Sequence, residues 1–459
     1  MRLRDIAVPS LLLPVLLIGG CASVEPVDIP PSVAAPPYYA TNLPPAGPAR
    51  EWWLGFNDPV LDALIEQGLA ANYDVEAAAD RLRVAAALLR AERSDRLPGV
   101  DGSAEAGVGL GGSGASIDAG AGLFGLFNPD INGRLAAEIR AAVANYAEAD
   151  YLVSDTRRLV AAAIANQYIE YRRTGAQLEL LQESTDLQEQ TLRIVTLRFE
   201  AGLAANLDVR RAAADLAQTR ARRGLIAIAR SEAAAALAVL LAEPPGAFLP
   251  SDAQLGGIPD YAGGPEAGTP ADLLRRRADI LAAEARLAQA AAIIGVEQAD
   301  LRPALTIPGV VSLGNGSLGG LFSDFLLTLG ASLDLPLFDG GRRRAEVVAA
   351  RAEADARLAE YRVTFLNALA EVETSLVAID AYQQRLASLT EAIEQSEAAL
   401  GQSNALYREG LASLFDVLDA QRQLIASRQS LIDSEAALAS SFVAFHAAIG
   451  SDGYQRALN

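Results

Sequence analysis

Lysine is missing altogether: all 38 basic residues of the 459-residue chain are Arg. Cysteine, histidine and methionine occur once each, as Cys21, His446 and the initiator. One cysteine excludes a disulfide scaffold and a thiolate zinc site, both of which need several. One histidine leaves a Ser-His-Asp or Cys-His enzyme only His446 to work with. Basic charge is outweighed, with 57 acidic residues and a net charge of −19, so the basic footprint of a nucleic-acid binder is lacking. Aromatics make up only 6% of the residues. What is abundant is apolar content, at 51%. The length fits two or three average domains, or one large or elongated one.

The N-terminus reads as a secretory signal. Arg2 and Arg4 precede an apolar stretch from Ile6 to Ile18 that is interrupted by Pro9 and Pro14. That stretch is shorter than the roughly 20 apolar residues a bilayer span requires. Ile18-Gly19-Gly20-Cys21 follows and resembles the lipobox of bacterial lipoproteins, which implies acylation of Cys21. Ala22, rather than Asp, implies sorting to the outer membrane by the same analogy. Residues 1–20 are thus expected to be a signal peptide, and the Pro-rich residues 21–50 a lipidated, extended tether.

The remainder is a duplication. Asp74 and Asp279, Arg81 and Arg286, and Pro98 and Pro303 all stand 205 residues apart. Further on the separation becomes 208, shared by Gly133/Gly341, Gly202/Gly410, Asp208/Asp416 and Arg220/Arg428. One repeat is expected over 51–243 and a second over 271–450, joined by a Pro/Gly-rich linker over 244–270 and followed by a tail over 451–459. Both follow one order: a helix, two strand-like segments, a very long helix and another helix. Leu358, Phe365, Val372, Ile379, Leu386, Ile393, Leu400 and Tyr407 recur every seven residues. The first repeat echoes them at Ile164, Tyr171, Leu178, Leu192 and Phe199. A sustained seven-residue apolar period predicts a coiled-coil seam. Gly202 and Gly410 are expected to stop the long helices just past their C-caps.

The strand-like segments lie near 97–126 and 303–338 and alternate with period two. Val100, Gly102, Ala104, Ala106 and Val108 oppose Asp101, Ser103 and Glu105. Leu327, Leu329, Ala331, Leu333, Leu335 and Leu337 form the clearest run, and predict one strand over Leu327–Leu337. Eleven residues suit a tilted transmembrane strand, which needs about 9–11. Gly111–Ser116 and Asn315–Ser323 are Gly/Ser-rich and suit exposed hairpin loops. Four strands cannot close a barrel, and open edges are not tolerated in lipid, so closure must come from other copies. Three chains would supply twelve strands.

These residues resemble the TolC-like outer-membrane efflux family, in its lipoprotein branch of OprM- and NodT-like members. The resemblance rests on Trp53, Phe56, Asp58, Pro59 and Asn72, on LLRRRADILAAEARL at Leu273–Leu287 and IGVEQADLRPALT at Ile294–Thr306, and on PLFDGGRRRAEV at Pro336–Val347 and YREGLASLFDVLDAQRQL at Tyr407–Leu424. It departs at Ala278, where the family usually has Pro, and at Asn132 before Gly133, where it usually has an apolar residue. The resemblance implies an α+β membrane protein: a homotrimeric twelve-stranded β-barrel continued by a long α-helical coiled-coil barrel. It also implies a passive exit duct for drugs or other small toxic molecules, neither an enzyme nor a holder of any cofactor beyond the lipid on Cys21. The implied partners are a periplasmic adaptor and an inner-membrane pump of the resistance-nodulation-division type.

By the same resemblance the helix tips form the periplasmic aperture. The matching positions are Asp208, Leu414, Asp416 and Asp419, with Tyr407 in the closed-state network and Leu414 as an apolar plug. The Arg that commonly latches such a network falls at Ala412, so a latch is expected from Arg210, Arg211 or Arg408, or from apolar closure. A plainer reading also stands: Asp208, Asp416 and Asp419 are N-terminal helix charges, and Ser413 is a cap. His446, Trp52 and Trp53 read as packed, and Arg275–Arg277 and Arg342–Arg344 as helix-surface or strand-end charges. Two alternatives stand: the exit duct of an ABC-driven or type I secretion system, against which the lipobox branch counts, and a structural periplasmic coiled-coil lipoprotein, which leaves the duplicated strands unexplained.

Overall fold

The computed structural model describes residues 26–30, 35–36, 39, 51–111, 114–246, 256–265, 268–313 and 325–450. The signal peptide, the lipobox with Cys21, most of the tether, the Asn315–Ser323 connection and the tail lie outside the described residues. After a short 3-10 helix at Trp52–Phe56 come α1 (Pro59–Ala71), α2 (Tyr73–Ser94), β1 (Gly99–Gly111), β2 (Gly114–Phe127), α3 (Arg134–Glu200) and α4 (Asn206–Leu240). The second half supplies α5 (Pro270–Arg276), α6 (Ala278–Ala299), β3 (Ala304–Leu313), β4 (Phe325–Leu329), β5 (Ser332–Asp334), α7 (Arg342–Glu409) and α8 (Leu414–Ile449). α3 and α7 have 67 and 68 residues, about 100 Å each at 1.5 Å per residue. Alanine on much of their surface favours helix at little entropic cost.

The residues form two compact units, and neither is one of the sequence repeats. The first takes residues 83–148 and 283–361, together with residues 26–30 of the N-terminal segment. Its sheet runs β1-β2-β3-β4, all antiparallel, with β5 paired to β3. The single strand expected over Leu327–Leu337 is in fact two. Gly309 pairs with Leu329 and Thr306 with Ser332, and the ladder breaks between them. Pro308 sits at the break and has no N–H to give, although its carbonyl still accepts from the Gly330 N–H at 2.9 Å. Leu335 and Leu337 lie beyond the pairing. In the same unit, Val27 and Ile29 of the N-terminal segment pack on Ala290 and Ile294 of α6 and Ala354 of α7.

The second unit takes residues 33–82, 149–282 and 362–459. It buries the seven-residue seam: Phe365, Val372, Ile379, Leu400 and Tyr407 are all under a tenth exposed, as are Ile164 and Tyr171. Phe199 departs from its counterpart Tyr407 and stands 42% exposed. Asp58 caps α1, accepting from the Val60 and Leu61 N–H groups ahead of a Pro at N1. Its second oxygen accepts from Tyr168 and Arg172, both at 2.9 Å, which ties α1 to α3. Trp52 and Trp53 are buried, and His446 stacks on Trp52 at 5.5 Å. Arg277, expected on a surface, is 3% exposed and bonded to Asp279, Glu371 and the Ala448 carbonyl.

Candidate functional site

Two helix ends carry most of the sequence-derived site, and glycine sets both. After α3 the backbone turns left-handed at Gly202 (φ 74°), and after α7 at Gly410 (φ 76°). The Gly202 N–H donates to the Phe199 carbonyl and the Leu203 N–H to that of Arg198; Gly410 and Leu411 repeat this with Tyr407 and Leu406. This is the Schellman pattern, in which a residue without Cβ adopts positive φ and the last carbonyls are satisfied. Nothing lies within 4 Å of a Cβ built at either glycine, so φ alone selects the residue.

The two tips differ in the next turn. Ser413 and Asp416 form a capping box at the start of α8: the Asp416 carboxylate accepts from the Ser413 N–H and hydroxyl, both at 2.8 Å. Those bonds, the hydroxyl's first, hold the Asp416 carboxyl below its usual range. At α4 the cap position is Ala205, which has no side chain to offer, and Asp208 stands 4.0 Å from Arg211 one turn on. Asp419 is exposed. Leu414 requires a correction as an apolar plug. It is 2% exposed, packed within its own chain among Val195, Leu400, Tyr407 and Val417.

Tyr407 is buried, and burial pushes its phenol upward in pKa. The arginine engaging it is not one of the three expected. Arg198, in the last turn of α3, lies over the Tyr407 ring at 4.8 Å and donates to the carbonyls of Tyr407 (3.0 Å) and Arg408 (3.3 Å). A cation thus caps the C-terminal end of α7, where carbonyls lack partners. Among the described residues Arg211 pairs with Asp208 of its own helix. Sequence comparison misses Arg198 because its counterpart 208 residues on is Leu406; its place in a last helical turn was the one available signal.

The sheet supplies a second feature. Its register places Asp101, Glu105 and Asp334 on one face, through the pairs Asp101↔Phe124, Glu105↔Gly120 and Ala304↔Asp334. The opposite face presents Val100, Ala104, Val108, Leu123, Val311, Leu327, Leu329 and Leu333. Lipid tolerates charge poorly, so the carboxylate face is the lumenal one. Among the described residues no helix is long and apolar enough to cross a membrane, and no cluster of side chains is arranged to hold a metal ion.

An amphipathic sheet with two open edges, carried on helices of 67 and 68 residues, defines a subunit of an outer-membrane channel whose barrel is completed by further copies. The chain belongs to the outer membrane efflux protein family, whose model matches residues 64–243 and again 269–451. It is 31% identical to the pyoverdine export outer membrane protein OpmQ of Pseudomonas aeruginosa, over 97% of each chain. Nodulation protein T of Rhizobium leguminosarum bv. viciae is 30% identical, over 95% of this chain and 91% of that protein. Among solved structures, the outer-membrane channel OprN aligns with a TM-score of 0.84 at 29% identity, covering 93% of this chain and 99% of that one. VceC of Vibrio cholerae aligns with a TM-score of 0.80 at 26% identity, covering 88% and 99%. Proteins of this family form homotrimers that act with periplasmic adaptors and inner-membrane pumps. The chain is thus one third of a twelve-stranded barrel with a helical continuation, an efflux exit duct in the outer membrane that extends into the periplasm.

Proposed function

We propose that this duct serves a pump of the resistance-nodulation-division type, that it receives the adaptor at its helix tips, and that the tips also form the closable aperture. The duct does no chemistry of its own; the pump supplies energy and selects the cargo. One observation carries the tip reading. Both tips display the same pair of exposed apolar residues in the same register, Leu203 with Leu207 and Leu411 with Phe415, between 52% and 72% exposed. Large apolar side chains left in water at matching positions of a duplicated unit mark a contact surface. The name of one relative supports service to an efflux pump: SrpC of Pseudomonas putida, 28% identical, is a solvent efflux pump outer membrane protein. Asp208, Asp416 and Asp419 bring carboxylates to this end, and three-fold copies of each form like-charged rings. Ile18-Gly19-Gly20-Cys21 supports acylation of Cys21.

The test is a deletion strain complemented with the wild-type chain or with Leu203→Ser/Leu411→Ser. Crosslinked complexes are purified through the duct and drug susceptibility is profiled. The proposal expects an adaptor and a resistance-nodulation-division pump in the wild-type complex. It also expects the tip variant to reach the outer membrane yet lose both the adaptor and resistance. Recovery of an ABC transporter instead would overturn the pump assignment, and undiminished adaptor recovery by the variant would overturn the tips as the docking surface.

A further inference from the structure

The duplication, combined with the ion pairs inside one chain, identifies a contact that a single chain cannot make. Arg220 of α4 bonds Glu189 of α3 at 2.6 Å, and Arg428 of α8 bonds Glu397 of α7 at 2.6 Å. Both residues of the first pair recur 208 positions later as the second, so each hairpin keeps the same internal tie. Arg428 has an additional partner. It reaches back to Glu183 of α3, in the first repeat, at 3.2 Å, and so joins the two hairpins. Adding 208 to Glu183 gives Glu391, and subtracting it from Arg428 gives Arg220. The sequence therefore keeps both members of the between-hairpin pair in their exchanged positions.

Within one chain that exchanged pair is not formed. Glu391 is exposed and pairs with no basic residue among the described residues, while Arg220 is exposed and holds Glu189 alone. In a ring of three chains every first repeat lies between two second repeats, one its own and one a neighbour's. The α3–α8 packing inside a chain then has a counterpart between chains, α7 of one against α4 of the next. We propose that Arg220 bonds the partner subunit's Glu391 and that this pair closes the seam between subunits, as Arg428–Glu183 closes the seam within one. The proposal rests on the homotrimer.

Neighbouring positions transpose in a compatible way. Inside the chain, Thr191 bonds Gln421 and Arg173 bonds Asp433 across the same seam. Their counterparts are Ala399 with Ala213, and Ala381 with Leu225. Leu225 is 70% exposed and Ile228 57%, on a stretch of α4 that its own chain leaves uncovered. An apolar contact between alanine and leucine flanking one ion pair gives the second copy both the area and the register it needs.

The test places cysteines at Arg220→Cys and Glu391→Cys in one chain and treats isolated outer membranes with a short bis-maleimide. A second variant, Glu183→Cys/Arg428→Cys, places them on the seam inside the chain. The proposal expects the first variant to run as covalent dimers and trimers on a denaturing gel. The second remains at monomer mass with altered mobility, and either single cysteine of the first pair stays monomeric. Native gels separate the two ways of failing. A native trimer that yields no covalent dimer, while the intrachain control reacts, overturns the pair. Absence of any native trimer in the wild-type protein overturns the homotrimer and the pair together.

Discussion

Arg277 offers the sharpest test of what holds the second unit together. Its guanidinium is 3% exposed and clasps Asp279 with two bonds, at 3.0 and 2.5 Å. It also bonds Glu371 at 2.6 Å and the Ala448 carbonyl at 2.9 Å. Arg158 acts beside it, holding Asp155 and donating to the Ala447 carbonyl at 2.9 Å, so two cations cap the end of α8. Replacing Arg277 with Met keeps the stem but strands the Asp279 carboxylate, whose nearest remaining cation is Arg158 at 4.0 Å. Removing one partner of a buried pair costs about 3–5 kcal/mol. Residual help from Arg158 and the half-exposed Glu371 put this case near the lower end, about 3 kcal/mol. By contrast, Arg342→Ala breaks only a surface pair one helical turn apart, at a cost of about 0.3–0.5 kcal/mol. Guanidinium-induced unfolding of detergent-purified protein, followed by helical circular dichroism, reads the difference. Adding Asp279→Leu to Arg277→Met is expected to recover part of the loss, because no charge is then left buried. Asp279 also has its pKa lowered, so its contribution is present above the usual carboxylate range and disappears as pH falls through the lowered value. If Arg277→Met costs no more than Arg342→Ala, the buried-clasp reasoning is wrong.

At the tip, Arg198→Ala removes two charge-assisted bonds and a ring contact from a half-exposed site. A loss of about 2 kcal/mol weakens closure roughly thirtyfold. Planar-bilayer conductance is expected to rise, with Arg198→Lys in between, and unchanged conductance would refute Arg198 as a latch. Alanine at both Asp416 and Asp419 is expected to change conductance or cation selectivity in the same assay; no change removes them from the aperture. Gly410→Ala forces a Cβ into left-handed backbone at a cost of about 1–2 kcal/mol, and is expected to speed amide exchange at that tip more than Gly401→Ala does mid-helix. His446 is held neutral by burial, with its pKa lowered to about 4. The unfolded chain takes up this proton first, so stability falls between the ordinary value of 6.5 and about 4, by about 1.4 kcal/mol per pH unit. His446→Phe is expected to flatten that part of the pH profile; an unchanged slope would assign it to other groups.

Periodicity and duplication made most of the fold legible. The seven-residue seam, the helix-stopping glycines and the alternating strands follow from local rules that hold wherever the chain is read. Side-chain partners were not legible, because they depend on which distant segment arrives. Arg277 stands in an Arg run that reads as surface, yet it is buried where Asp279, Glu371 and the end of α8 converge. Leu414 reads as a plug from its place at a tip, yet Val195 and Tyr407 cover it from other helices. The break in the expected Leu327–Leu337 strand was written in Pro308, but on the neighbouring strand, where alternation along one segment does not look.

Divergence between the repeats carries the functional information that their likeness hides. Positions serving each hairpin by itself are kept in both: Gly202 and Gly410 for the turn, Glu189–Arg220 and Glu397–Arg428 for the internal tie. Positions at the tip diverge together. Arg198, Phe199 and Ala205 of the first repeat answer to Leu406, Tyr407 and Ser413 of the second. Only the second repeat's tip has a capped helix start, a buried aromatic and a cation from the other hairpin on its last carbonyls. The corresponding surface of the first repeat leaves Phe199 in water. In the single chain the two hairpins therefore hold their tips by different means, one fastened by Arg198 and its own cap, the other without either. Arg198→Ala is therefore expected to loosen the second repeat's tip and leave the first repeat's unchanged, which amide exchange at the two tips reads directly.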